Sequence, residues 1–459
     1  MAQTPMIKNP VIKNSIYSRE QLEQVVADIL AESKKQGATA SEAAVSIESG
    51  LSVTARMGEV ETVEHNHDKG LGVTVYVGQR KGSASTSDFG GDAIRDTVAA
   101  ACRIARYTAE DEYSGLADAA LMAQEIPDLD LTHPWEITAE QAIDIALDCE
   151  GAARSFDMRI TNSEGASVSS HQSFRVYGNS HGFIGAYGGT RHSLSCSVIA
   201  TGLGEQDDNM QRDYWYSSAR HASELEAPDI VGHKAAERTV KRLGARRVKT
   251  CSVPVLFSAD VASGLIGSFL GAIRGGAQYR RSSFLLDALG EQIFPEFMQI
   301  EERPRLLRGN NSAPFDREGV ATQDRAFIVD GRLQSYVLDS YSARRLGRET
   351  TGNAGGVHNL FVSSGEHDLH GLCREMGTGL LVTELMGQGT NMVTGDYSRG
   401  AAGFWIENGV IQYPVEEVTV AGNMKQMFKD IVAVGNDVDS RGNIRTGSIL
   451  ISNMTIAGE

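Results

Sequence analysis

Long apolar runs are missing from this chain. Nowhere do roughly 18 apolar residues follow one another, the length a membrane helix requires. The first residues, MAQTPMIKNPVIKNSIYSREQ, hold no apolar signal core. A cytoplasmic protein without a membrane span is expected. Cysteine is scarce as well: the five residues Cys102, Cys149, Cys196, Cys251 and Cys373 are scattered, odd in number and contain no CxxC pair. That argues against a disulfide framework and against a thiolate zinc site. Positive charge is short too, with 43 Lys and Arg against 59 Asp and Glu, a net charge of −16. The chain therefore lacks the electrostatic footprint of a nucleic-acid binder. Its one basic cluster is Lys234, Arg238, Lys241, Arg242, Arg246, Arg247 and Lys249. Most of it falls in the last turns of an expected helix, where cations suit the dipole and meet solvent. One further absence is local: no His and no Glu occurs between Val253 and Gly276.

That stretch is otherwise well formed. Val253 to Phe257 is an apolar run that suits a buried strand. Ser258 suits a helix N-cap, with Asp260 in the first turn. Val261, Leu265, Phe269 and Ile273 then recur at helical spacing, while Gly264, Gly267 and Gly271 invite close approach of another backbone. With only Ser258, Asp260 and Ser263 to offer chemistry, this helix cannot carry an ordinary metal site.

The 459 residues, 41% hydrophobic, suffice for two or three domains, and 49 glycines point to many turns and a β-rich chain. Residues 1 to 17 read as a loose arm. Ser18 and Gln21 then form a capping box, as do Thr138 and Gln141. Each box opens a helix that precedes Val- and Thr-rich alternating segments and a second helix. An α+β fold follows, with antiparallel meanders flanked by helices in the N-terminal half. Residues 18–108 and 138–243 are the expected repeat units, within a domain of residues 1–245. Within the first unit, Ala44–Glu48, Leu51–Arg56, Val60–Glu64 and Gly72–Val77 read as separate strands, with a turn at Asn66–Gly70. From residue 246 to 459 a second domain is expected, mostly antiparallel β with a few helices. Asp330-Gly331 and Asn408-Gly409 are type I′ hairpin turns by composition.

Few constellations look chemical. His367, His370 and Cys373 would share a broad helix face, but Leu369 and Leu372 already make that helix amphipathic. His65 and His67 alternate on an expected strand and suit a solvated face, and His181 suits a turn. Glycine-rich loops occur at Gly352–Gly356, Gly377–Gly379, Gly387–Gly389 and Gly400–Gly403. None has a phosphate-cradling pattern, and no GxSxG elbow appears. Such loops can also let an extended peptide lie along a sheet edge.

Met376-Gly-Thr-Gly-Leu-Leu-Val-Thr-Glu-Leu-Met-Gly-Gln-Gly389 and Thr394-Gly-Asp-Tyr-Ser-Arg-Gly-Ala-Ala-Gly-Phe-Trp-Ile-Glu-Asn-Gly409 closely resemble the TldD/PmbA family. Gly82–Ser85, Phe315–Val320, Thr351–Gly356 and Val434–Asp437 agree with it. The resemblance spans nearly the whole chain and lies on the PmbA/TldE side. It implies a cytoplasmic TldD–TldE heterodimer that cleaves unfolded peptides, in microcin maturation and antitoxin degradation. Members also carry a DNA gyrase modulator label. The family's zinc sits in the TldD-type chain, on an HExxxH helix and a cysteine near the C-terminus. Here the matching stretch is Ser258-Ala-Asp-Val-Ala-Ser263, so Ser258 and Ser263 stand for the histidines and Ala259 for the catalytic Glu. No cysteine follows Cys373. The resemblance therefore implies a subunit with no metal and no catalytic residue, which pairs with a zinc-bearing TldD-type chain and helps to hold the peptide. Gly355, Gly356, Gly387, Gly389, Asp396 and Tyr397 are the candidate peptide contacts. Whether the chain alone is a monomer or a homodimer is left open by the sequence. The rival expectations are a metallopeptidase with atypical ligands and a regulator that binds the gyrase protein.

Overall fold

Both capping boxes form as the sequence asks. In the computed structural model, which describes residues 17–202 and 209–458, the Ser18 N–H donates to Gln21 Oε1 and the Gln21 N–H to Ser18 Oγ. This opens α1 (Arg19–Lys35). The expected N-terminal arm lies, except for Tyr17, outside the described residues. After α1 come β1 (Ala40–Arg56), β2 (Glu59–Val77), β3 (Arg80–Thr86) and α2 (Gly91–Tyr107). Thr138 and Gln141 repeat the box ahead of α3 (Ala139–Phe156), and β4 (Ile160–Asn179), β5 (Ile184–Thr201), β6 (Met210–Ala219) and α4 (Pro228–Lys241) follow. Helix, three strands, helix thus occurs twice. The six strands form one antiparallel sheet in the order β3-β2-β1-β4-β5-β6. The first strand of each unit pairs with the other at the centre, from Glu42 opposite Asn179 to Ala55 opposite Ala166. That mirrored order is what two copies of one unit give when joined edge to edge.

The strands are longer than their sequence suggests. Gly50 and the segment Asn66–Gly70 do not break them: Asn66 pairs with Gly50 and Gly70 with Ser46 inside one ladder. β1 is paired along both edges, so ladder hydrogen bonds override a weak local turn signal. Gly50 is needed for another reason. A Cβ there would sit 2.2 Å from Nδ1 of His171 on the neighbouring strand. At the far end of this hairpin, Met57 and Gly58 turn with positive φ. Their N–H groups donate to Glu150 of α3 at 2.7 and 2.8 Å.

Each helix pair covers its own half of the sheet. Leu22, Val26, Ile29, Val98 and Cys102 pack on Val45, Ile47, Val73 and Val75. Ala142, Ala146, Cys149, Val231 and Ala235 pack on Val53, Val168, Cys196 and Val198. The small residues bring α3 and α4 so close that a Cβ on Gly232 would lie 2.2 Å from the Cys149 carbonyl oxygen.

The C-terminal half continues with β7 (Cys251–Phe257), α5 (Ala259–Ile273), α6 (Gly275–Tyr279), β8 (Ile300–Glu302), β9 (Arg325–Val329) and β10 (Arg332–Leu333). Next are α7 (Ser340–Arg345), β11 (Leu360–Val362), α8 (Leu369–Met376), β12 (Gly379–Met386) and β13 (Asp396–Glu407). β14 (Val410–Asn423), α9 (Met424–Lys429), β15 (Ile431–Val434), β16 (Ile444–Arg445) and β17 (Ile449–Ala457) complete it. One sheet runs β14-β13-β12-β7-β17-β15 and another β10-β9-β8-β11-β16. Both are antiparallel except at the β7–β12 and β11–β16 pairs. Asp330, Gly331, Asn408 and Gly409 all have positive φ, as type I′ turns require. Among the described residues no helix is long and apolar enough to cross a membrane.

α5 lies in the main core, where Leu265, Ile266, Phe269 and Ile273 are buried against β7, β12 and the 284–298 segment. Its glycines do not serve close backbone contact as expected. Nothing lies within 4 Å of a Cβ built on Gly264 or Gly267, and Gly271 meets only the Met392 side chain. Because both glycines are helical and face open space, Gly264→Ala and Gly267→Ala should each stabilise the chain by about 0.5–1 kcal/mol. Urea unfolding of the single variants checks this.

Candidate functional site

The start of α5 is closed by its own polar groups. Ser258 is the N-cap residue but its hydroxyl makes no capping bond. It donates instead to Asp260 Oδ1, and Ser263 Oγ donates to the Asp260 carbonyl at 3.0 Å. Asp260 Oδ2 also accepts from Arg238 of α4 at 3.3 Å. Arg238 lies 3.3 Å from Asp213, which Arg242 also reaches, and Arg242 bridges on to Glu384 of β12. The basic cluster is therefore not simply solvated. Arg238 and Arg242 tie β6 and α4 to the C-terminal half, where carboxylates could meet them only after folding. Beside this turn is a cavity of about 160 Å³, lined by Tyr214, Trp215, Tyr216, Asp260, Ser263 and Arg441 among others. Arg441 forks onto Asp439 and stacks 3.9 Å from the Trp215 ring centre.

These donors do not fit zinc. The turn offers two hydroxyls, the Ala259 methyl and one carboxylate already bonded to a guanidinium and a hydroxyl. A zinc hydrolase uses about three His, Cys or carboxylate ligands and a nearby base. Among the described residues no three His, Cys, Asp or Glu side chains come together to hold a metal ion. His367 precedes α8 and His370 is exposed on it, while Cys373 is buried beside Leu256 and Leu381. Burial pushes the Cys373 thiol up to about 11. His65 and His67 are exposed on β2 and line a cleft with His171, His192 and Trp135. His181 sits in its expected turn and bonds the Ala117 carbonyl.

A second cavity, of about 270 Å³, opens between the two halves. Gly355 and Gly356 line it together with Arg175, Tyr187 and Gly189 of the first sheet, and with Arg220, Asp316, Arg317 and His358. Two of the family-like motifs build its wall. Asp316 accepts from the N–H groups of Glu318, Val320 and Ala354, fastening Phe315–Val320 to Thr351–Gly356. Glu302, 2% exposed, accepts from Asn353 Nδ2 and from the backbone N–H and Nδ1 of His358. Gly355 and Gly356 adopt φ of 106° and 116°, which only glycine takes without strain.

Tyr187 stands edge-on to Phe315; burial pushes its phenol up, and Arg175, Arg317 and Arg220 nearby only partly counter that push. No sequence signal marks Arg175 or Arg220, since their neighbours in this cleft come from the other half of the chain. Arg317 was within reach, because it belongs to a motif already singled out. The remaining candidates lie elsewhere: no residue of the 387–397 loop lines this cavity. Gly387 is exposed and Gly389 packs on the Ser398 carbonyl. Asp396 accepts from Thr394 Oγ1 and Asn423 Nδ2, and Tyr397 is buried.

Burial pushes the Asp316 carboxyl up to about 6, against its three N–H donors. Burial, with Asp316 nearby, pushes Glu318 up to about 7. Both folded values exceed the unfolded ones, so their contribution to stability is complete below about pH 4 and is lost as pH rises from about 4 to about 7. On the order of 5 kcal/mol should be lost between about pH 4.5 and about pH 8. Urea unfolding at pH 4.5 and pH 8 measures it, and Asp316→Asn with Glu318→Gln should flatten the profile.

Models of the PmbA/TldA metallopeptidase domains match residues 41–105 (domain 1), 132–243 (central domain) and 250–458 (C-terminal domain). The chain is 51% identical over 451 residues to Metalloprotease PmbA of Escherichia coli O157:H7, covering 98% of this chain and 99% of that one. A solved structure from Bacteroides thetaiotaomicron that carries a DNA gyrase modulator label superposes with a TM-score of 0.91 at 28% identity, over 96% of this chain and all of that one. TldE from Thermococcus kodakarensis shares the fold, with a TM-score of 0.81 at 20% identity over 95% of this chain and all of that one.

Proposed function

Because the chain belongs to the PmbA/TldD family of metallopeptidases, we propose that it is the subunit of a two-chain peptidase that bears no metal itself. One observation carries this reading: the first turn of α5 presents Ser258, Ala259 and Ser263 around an Asp260 already neutralised by Arg238. Zinc and the base that activates water would come from a TldD-type partner. This chain would complete that partner's pocket and hold an unfolded peptide. Gly355 and Gly356, which line an open cleft, support the second role; Gly387 and Gly389 in the loop before β13, with Asp396 and Tyr397 at the start of that strand, are the other peptide contacts proposed. All five cysteines are free, four of them buried, which supports a cytoplasmic setting.

A reconstitution assay tests the proposal. The chain alone should leave an unstructured peptide intact, and adding a TldD-type chain should give chelator-sensitive cleavage faster than that chain achieves unaided. The printed name of the Escherichia coli relative, a metalloprotease, favours a second reading in which this chain cleaves peptides by itself. Chelator-sensitive cleavage by the lone chain would establish that alternative and overturn the first. A gyrase-directed role would have to act through the gyrase protein, since a net charge of −16 disfavours DNA.

A further inference from the structure

We propose that the cleft lined by Arg175, Arg220 and Arg317 is a carboxylate-binding subsite, taking the free C-terminus or an acidic side chain of an extended peptide. It deepens the peptide-holding reading and rests on it. The charge pattern is the first argument. In a chain of net charge −16, three guanidinium groups line one cavity and a fourth, Arg274, reaches its rim beside Gly356. Among the described residues none of the four is paired with a carboxylate. Several other arginines are paired, Arg238 and Arg242 with Asp213, Arg308 with Asp130 and Glu224, and Arg441 with Asp439, whereas unpaired ones such as Arg325 and Arg445 do not converge with other guanidinium groups on this cavity. Guanidinium groups left without a counter-ion in a partly desolvated cleft are ready to bind a carboxylate, which they match in a two-pronged fork.

The backbone is cut to admit these side chains. A Cβ on Gly189 would lie 2.7 Å from Arg220 Nη1, and one on Gly355 would lie 2.8 Å from Arg317 Nε. Arg220 is fixed in place by donating to the carbonyls of Thr190, Gly309 and Asn310. Its charge is thus oriented before any ligand arrives, which lowers the entropic cost of binding. Arg175 and Arg317 make no side-chain hydrogen bond among the described residues and are left to close on the ligand. Tyr187, beside them, has a hydroxyl likewise without a hydrogen-bond partner there, so it can donate to the same carboxylate. The one acidic wall residue, Asp316, spends both oxygens on backbone N–H groups of the two loops. A cavity of about 270 Å³ holds one terminal residue with its carboxylate, not a folded partner.

Fluorescence anisotropy with the full chain decides. The probes are one labelled unstructured peptide as its free acid, as a C-terminal amide without Asp or Glu, and as that amide with one internal Glu. The free acid or the internal-Glu form should bind at least about tenfold tighter than the neutral amide. Whichever form binds tightly identifies the terminus or the side chain as the source. Arg175→Gln with Arg317→Gln should remove that preference while the melting temperature stays unchanged, because neither side chain is bonded within the fold. Equal binding of all three forms, binding of none, or full preference in the double variant overturns the proposal. If partner-dependent cleavage is reconstituted while the acid preference is absent, the subsite alone is refuted. If cleavage fails to depend on this chain, the subunit reading falls with it.

Discussion

Replacing Glu302 with alanine should cost about 3–5 kcal/mol of stability and abolish the acid preference of the arginine-lined cleft. The side chain is 2% exposed and is the shared acceptor for Asn353 Nδ2, the His358 N–H and His358 Nδ1. Without it, at least two donors stay buried with no partner, and each such donor costs about 1–3 kcal/mol. Those donors belong to the segment that carries Gly355 and Gly356, so the cleft wall should loosen along with the fold. Glu302→Gln keeps one carbonyl acceptor and should lose about half as much. Urea unfolding gives the stability change, and peptide anisotropy on the same samples gives the effect on the cleft. Equal losses for the two variants would show that the carboxylate's acceptor chemistry, not the shape of the side chain, is what Glu302 supplies.

Phe269→Ala should be comparably damaging, at about 3–5 kcal/mol. Phe269 is fully buried on α5, and its ring meets Phe294 edge-on at 5.2 Å and Phe428 at 6.2 Å. One side chain thereby joins α5 to the 284–298 segment and to α9. Removing it leaves a cavity that the rings of Phe294 and Phe428 cannot close without moving α5. Ile266→Val, also fully buried but one methylene smaller, should lose only about 1 kcal/mol. Thermal and urea unfolding of the pair separate a general core effect from one specific to the aromatic cluster.

Local chemistry in the sequence was a good guide wherever the interaction is local. Ser18, Thr138, Asp330-Gly331 and Asn408-Gly409 satisfy or bend the backbone within a few residues of themselves, and each does so in the structure. Gly50 misled because its reason is the ring of His171, distant in sequence and adjacent only once β1 and β4 pair. Arg238 and Arg242 suggested a solvated helix end because Asp260 and Glu384, their partners across the seam, lie far along the chain. The arginine-lined cleft was illegible for the same reason. It brings one arginine from β4 and one from beyond β6 to face a loop of the C-terminal half. That the start of α5 holds no imidazole was legible directly, since a missing side chain needs no tertiary partner to be seen.

The most direct measurement of the central claim is the zinc content of the purified chain after incubation with excess zinc and exhaustive desalting. With Ser258, Ala259 and Ser263 at the start of α5, elemental analysis should find far less than a stoichiometric amount. A full equivalent of tightly held zinc, removed by a chelator together with peptide cleavage, would contradict the account.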